Sequence, residues 1–298
     1  MLYKILYAYV KLHAILPMRV LYVLSDVFYF LAYYLVRYRV KVVRTNLRNA
    51  FPDKTDKERL LIERQFYHNF ADYIVETFKL AHISKEEVQR RAFLRNPEMV
   101  AQLHEKGHTC VILLMGHLFN WEWFSGSADR FEKSNVYQIY RPLEAKAFDD
   151  LFITLRTRFG SFGLRKDDTM RKIISLKRSG ECSAVIFIAD QTPSIDSIHH
   201  WSIFMNQESG FFSGPERLAK KLDLPLVFLH TKRLARGQYE IELELLTTTP
   251  KETPDLWITE QYVQMMNKVV NEDPSNWLWS HRRWKHSKES VAAWRQSQ

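Results

Sequence analysis

The chain has 298 residues, 46% hydrophobic and 26% charged, which supplies a full core and excludes a disordered protein. Residues 1–50 hold eight basic residues against Asp26 alone, so they carry +7 of the net +9, and the nearly balanced remainder gives no support to nucleic-acid binding by the main body. Cys110 and Cys182 both begin apolar runs and read as buried free thiols, and no Cys–His set has zinc spacing.

In chain order, residues 20–36 (VLYVLSDVFYFLAYYLV) come first, an apolar, aromatic run with one charge. It falls slightly short of the ~20 residues that span a bilayer. It predicts either a short tilted span or a helix lying in the membrane interface, and the alternative is a helix buried in a soluble domain. The basic cluster RYRVKVVRTNLR follows at once and places the body on the cytoplasmic side. Residues 1–50 are thus expected to be a basic hydrophobic membrane anchor, and 51–298 a single domain. Within that domain Leu60, Phe66, Phe70, Ile74 and Phe78 recur at helical spacing, and Ser84 with Glu87 marks another helix start.

From about residue 97 the pattern alternates. Helical stretches stopped by Gly107 and Gly180 each precede a continuous apolar run, TCVILLM and CSAVIFIAD, and GPERLAKKLDL precedes PLVFLHTK. NVYQIYR and YEIELELL add two strands. Continuous apolar strands alternating with helices predict an α/β fold with a central, largely parallel sheet flanked by helices, behind an N-terminal membrane-associated helical segment.

Polar residues then collect at strand ends, where open α/β sheets bind ligands. His117 follows the first strand, Arg141 ends VYQIYR, Asp190 and Gln191 end VIFIADQ, and His230 and Lys232 end LVFLHTK. His117 and Glu122 are five apart, ~140° on a regular helix. They can meet only if His117 stays in the loop and Glu122 sits in the first turn of a helix capped by Asn120. A histidine whose tautomer is fixed by a carboxylate is a general base for a hydroxyl. The alternative is a capping Glu and an incidental turn His. Arg141 suits a phosphate, or a surface ion pair; Asp190 suits Arg141, the substrate, or the start of a loop. The stretch NWLWSHRRWKH, with Arg282 and Arg283 among three tryptophans, suits an anionic lipid head group, or a buried aromatic cluster with solvated charges.

These elements, in this order, resemble the lipid A biosynthesis (late or secondary) acyltransferases of bacterial lipopolysaccharide assembly. They are GHLFNWEW with His117 and Glu122, YRP with Arg141, ADQ with Asp190 and Gln191, FF-x-G at 211–214, and WLWSHRRW. The resemblance implies transfer of a fatty acyl chain from acyl-acyl carrier protein to a hydroxyl of a lipid A precursor, at the cytoplasmic face of the inner membrane. It implies His117 as base, Glu122 as its partner, and substrate contacts from Arg141 and Asp190, with no metal or bound cofactor. A glycerolipid or amino-acid-lipid acceptor, and a non-catalytic lipid-binding protein gripping anionic lipid through Arg282 and Arg283, are the alternatives.

Overall fold

A computed structural model describes residues 2–118 and 120–298. The chain opens with helices α1 (Leu2–Ala14) and α2 (Met18–Phe30), a π-helical turn (Leu31–Leu35), α3 (Val40–Ala50) and the long α4 (Asp56–Lys79). Thr55 starts α4 with a reciprocal capping box to Glu58. After α5 (Lys85–Arg91) come β1 (Ala92–Arg95), α6 (Glu98–Glu105), β2 (Cys110–Met115), a 3-10 helix (Trp121–Arg130), β3 (Asn135–Tyr140), α7 (Lys146–Thr157) and β4 (Phe162–Arg165). Then follow α8 (Thr169–Ser179), β5 (Ser183–Ile188), the hairpin β6 (His200–Phe204) and β7 (Gln207–Phe211), α9 (Gly214–Leu222), β8 (Leu226–Ala235) and β9 (Gln238–Thr247). Helices α10 (Trp257–Glu272) and α11 (Lys288–Gln296) close the chain.

Seven strands form one sheet in the order β1-β9-β8-β2-β5-β3-β4. All its pairings are parallel except β8 with β9, which form an antiparallel hairpin. The α/β sheet flanked by helices is therefore present. Its central strand β2 is buried at every position, which is why it reads as an unbroken apolar run. Gly180 ends α8 in the left-handed conformation, with φ of 71°, where a side chain would be strained.

The stretch Met18–Leu35 is long and apolar enough to cross a membrane by length and composition alone. Yet α2 is built the opposite way round from a core helix. Its polar residues face the body: Tyr22 Oη donates to Glu76 at 2.9 Å, Ser25 Oγ donates to Asp72 at 2.7 Å, and Asp26 pairs with Arg236 at 2.6 Å. Its apolar residues Val20, Val23, Leu24, Val27 and Phe30 are exposed, as are Leu2, Ile5, Leu12 and Ile15 around α1. Val10, Ala14 and Leu21 meanwhile join the core shared with the sheet.

Helix α4 accordingly carries a row of buried polar residues, Glu63, Asn69, Asp72 and Glu76. Each has partners: Arg44 on Glu63 at 2.9 Å, Arg233 and Arg236 on Asp72 at 3.0 and 2.6 Å, and Tyr239 on Glu76 at 2.8 Å. Buried charges persist only with such partners.

Candidate active site

The sheet brings the two central polar residues together by register. Strands β2 and β5 are parallel neighbours with Met115 opposite Ile188. His117 and Asp190 each lie two residues beyond that pair, at the carboxyl edge. A Cβ at Gly116 would meet the end of the Met266 side chain, which would have to shift. Tyr262 ties the two strand ends, donating to the Met115 carbonyl at 2.9 Å and accepting from the Ala189 N–H at 3.3 Å.

At this edge His117 Nδ1 stands 2.7 Å from Asp190 Oδ1, and the His117 backbone N–H donates to Asp190 Oδ2 at 3.1 Å. The Trp277 indole donates to the same Oδ2 at 2.7 Å. Asp190 is fully buried. Burial opposes its charge, but the His117 ring, the Trp277 indole and the His117 backbone N–H outweigh it and hold the carboxyl below the usual carboxylate range. An ionised Asp190 can only accept, so Nδ1 carries the proton and Nε2 of a neutral ring is left as the acceptor. Trp121 packs edge-on against the imidazole, ring centroids 5.0 Å apart.

The carboxylate expected to face His117 is engaged elsewhere. Asn120 does cap the following helix, its Oδ1 accepting from the Glu122 N–H at 3.1 Å, and Glu122 does occupy the first turn. The turn sends the Glu122 side chain to α7, where Arg156 Nε donates to Oε2 at 2.7 Å and Nη2 to Oε1 at 2.6 Å. Trp121 Nε1 adds a bond at 3.2 Å and Tyr73 a long one at 3.4 Å. No hydrogen bond joins Glu122 to His117 among the described residues; a planar guanidinium fork has claimed both carboxylate oxygens. Burial works against the Arg156 charge, but Glu122 more than restores it and raises the guanidinium pKa.

His117, Glu122 and Arg156 all line one cavity of about 810 Å³. This volume falls within the range of small-molecule sites. Its walls differ. One is apolar, with Phe124, Ile139, Phe152 and Ile153; another carries Lys166, Arg217 and Lys221 from the α8–α9 side. Arg141 and Gln191 also line it, Arg141 being exposed and Gln191 half-buried.

Other polar residues expected at this edge lie away from the cavity. His230 falls in the middle of β8, bridging Glu244 at 2.7 Å and Glu272 at 3.0 Å, because β8 runs on to Ala235. Arg282 is exposed and does not line the cavity. Arg283 is 2% exposed, donates to the Gly210 carbonyl at 2.8 Å and lies over the Phe211 ring, so no lipid head group reaches it. Burial pushes its pKa down to about 10 and that of His281 down to about 4. Trp277 and Trp279 are wholly buried and stack edge to face at 4.7 Å. The C-terminal aromatic–basic stretch thus backs the site, with Trp277 holding Asp190, and leaves Arg282 and Lys285 as its exposed cations.

Sequence reasoning missed Arg156 and the pairing of Asp190 with His117. One of two arginines, Arg156 and Arg158, at the end of an ordinary amphipathic helix gave no local signal for the first. The adjacency of two strand ends would have suggested the second, had the strand order been known.

The model of the bacterial lipid A biosynthesis acyltransferase family matches residues 2–286. A curated relative, the lipid A biosynthesis lauroyltransferase of Escherichia coli (strain K12), is 25% identical over 283 residues, covering 93% of this chain and 89% of that relative.

Proposed function

The chain belongs to the bacterial lipid A biosynthesis acyltransferase family, and we propose that it moves a fatty acyl chain from acyl-acyl carrier protein to a hydroxyl of a lipid A precursor. The observation that carries the mechanistic part is His117 on the wall of a largely apolar cavity, bonded from behind by the buried Asp190.

In this reading His117 is the general base and Asp190 the residue that orients it. The acceptor hydroxyl gives its proton to His117 Nε2 as its oxygen bonds to the thioester carbonyl carbon. Asp190 stabilises the imidazolium that forms. The tetrahedral oxyanion collapses, the carbon–sulfur bond breaks, and the thiolate of the carrier takes the proton back from His117. No acyl-enzyme is needed. Glu122 serves by fixing Arg156, whose guanidinium is a permanent cation on the cavity wall, suited to the negative charge that develops on the carbonyl oxygen. Arg141, Gln191 and the cationic wall of Lys166, Arg217 and Lys221 suit the phosphates of a lipid A precursor.

We place the protein on the cytoplasmic face of the bacterial inner membrane, with α1 and α2 lying in the interface and not spanning it. The exposed apolar residues of both helices, flanked by exposed Lys4, Lys11, Arg19 and Arg37, support a helix pair resting on anionic lipid. To span, α2 would have to strip Asp72 and Glu76 of their bonds to Ser25 and Tyr22. Val23→Asp with Val27→Asp is expected to abolish co-sedimentation with anionic vesicles; undiminished binding would contradict this placement.

The decisive assay supplies the purified protein in detergent with acyl-acyl carrier protein and a lipid A precursor. A product heavier by one acyl group in the mass spectrum is expected. Release of free fatty acid alone, or acylation of glycerol phosphate or lysophosphatidate in preference, would overturn the reading.

A further inference from the structure

Glu76 is wholly buried near the C-terminal end of α4, and the reaction as proposed does not use it. Four side chains meet on it. Tyr22 of α2 donates to Oε1 at 2.9 Å, and Tyr239 of β9 donates to Oε2 at 2.8 Å. From the site loop, Asn120 Nδ2 donates to Oε2 at 3.0 Å, and the Trp123 indole donates to the Glu76 carbonyl at 2.7 Å. Asp72, one turn earlier, faces it as a like charge, and the nearby cations Arg233 and Arg236 are paired with Asp72. Burial, aided by Asp72, pushes the Glu76 carboxyl up to about 7 against the pull of its three donors.

The amide of Asn120 has two ends and two partners. Its amino group meets Glu76, and its oxygen accepts from the Glu122 N–H at 3.1 Å. A carboxylate accepts only, so an ionised Glu76 permits one orientation of that amide. The orientation is also the one that caps the helix and sets the first turn, where Glu122 stands. Reversing the amide would turn an N–H toward the Glu122 N–H and lose the cap.

We propose that Glu76 is a positioning residue: as a carboxylate it fixes the amide of Asn120, and through Asn120 the turn that presents Glu122 and its partner Arg156 to the cavity. This rests on the cavity being the site of acyl transfer. It also joins the membrane-facing helix to the site loop, since Tyr22 and Asn120 share one carboxylate.

A double-mutant cycle tests it, with kcat, KM and Tm read at pH 8. Asn120→Asp keeps a good cap but sets a second carboxylate against Glu76. It is expected to lower kcat about tenfold or more, with both KM values within about twofold. Glu76→Gln alone can donate as well as accept, no longer enforces one orientation of the Asn120 amide, and is expected to lower kcat by about threefold to tenfold. In Glu76→Gln/Asn120→Asp the new amide donates to the new carboxylate, and kcat is expected to return to within about threefold of the parent. A contact that serves the fold alone would show the reversal in Tm with kcat unmoved, independent residues would give losses that add, and either outcome, or a double variant no better than Asn120→Asp, overturns the proposal. If Asn120→Asp does not fold, a folded and active double variant supports the coupling, whereas failure of both overturns it. The same reversal is expected in Tm, so the Glu76–Asn120 coupling is decided even if the parent proves inert toward acyl-acyl carrier protein.

Discussion

Asp190 and Glu122 are both buried carboxylates, both bonded within 3 Å to a basic side chain that lines the same cavity. They differ in what the partner can do. Asp190 holds an imidazole, which can take and release a proton near neutral pH; Glu122 holds a guanidinium, which cannot. The first pair can therefore move a proton, and the second can only fix a charge. Sequence proximity favours Glu122 as the partner of His117, but strand adjacency gives that place to Asp190.

Substitutions can break this contrast, beginning with the largest expected effects. His117→Ala removes the base and is expected to lower kcat by about 10² to 10⁴, and Asp190→Asn by a similar factor, because the neutral amide no longer fixes the tautomer. Steady-state assays with KM followed alongside check both; a His117→Ala protein of full activity would end the mechanism. Arg156→Ala leaves Glu122 buried without its counter-charge and is expected to destabilise the fold by about 3–5 kcal/mol, read from denaturant midpoints, with Glu122→Gln milder. Trp277→Phe removes one charged hydrogen bond from Asp190 and is expected to cost about 1.5–3 kcal/mol.

Asp190 and Glu76, the carboxylate behind Asn120, separate in pH. The Asp190 carboxyl is held low in the folded state, so its contribution to stability is present above the ordinary carboxylate pKa and is lost as pH falls through its lower folded value. Glu76 has the opposite sign. Its raised pKa, about 7, means that its stabilising contribution is full below about 4.5 and is lost as pH rises through 7. Glu76→Gln is therefore expected to raise Tm relative to the parent at pH 8 and to leave it nearly unchanged at pH 4.5. A Tm difference independent of pH would show that Glu76 does not titrate in this range.

How much of this could be read from the sequence varies with the range of the interaction. The strands around Cys110, Asn135, Ser183, Leu226 and Gln238 were legible, because each is a local pattern, an unbroken apolar run or, in NVYQIY and YEIELELL, one interrupted by polar residues. The Asn120 cap was legible for the same reason. Short strands β1 and β4 and the β6–β7 hairpin gave no comparable run. Two aromatic segments show the limit of composition. Residues 20–36 are nearly uncharged and 276–286 are basic, yet α2 turns its apolar face outward while Trp277 and Trp279 are sealed in the core. What distinguishes them is distant: Asp72, Glu76 and Arg236 wait for the polar side of α2, and Asp190 waits for the Trp277 indole.

The most direct measurement is the nitrogen NMR of His117 in histidine-labelled protein, followed through pH in the parent, Asp190→Asn and Glu122→Gln. The account predicts an Nδ1–H tautomer in the parent, unchanged in Glu122→Gln, and a changed tautomer and titration in Asp190→Asn. A ring that responds to Glu122→Gln and ignores Asp190→Asn would contradict it.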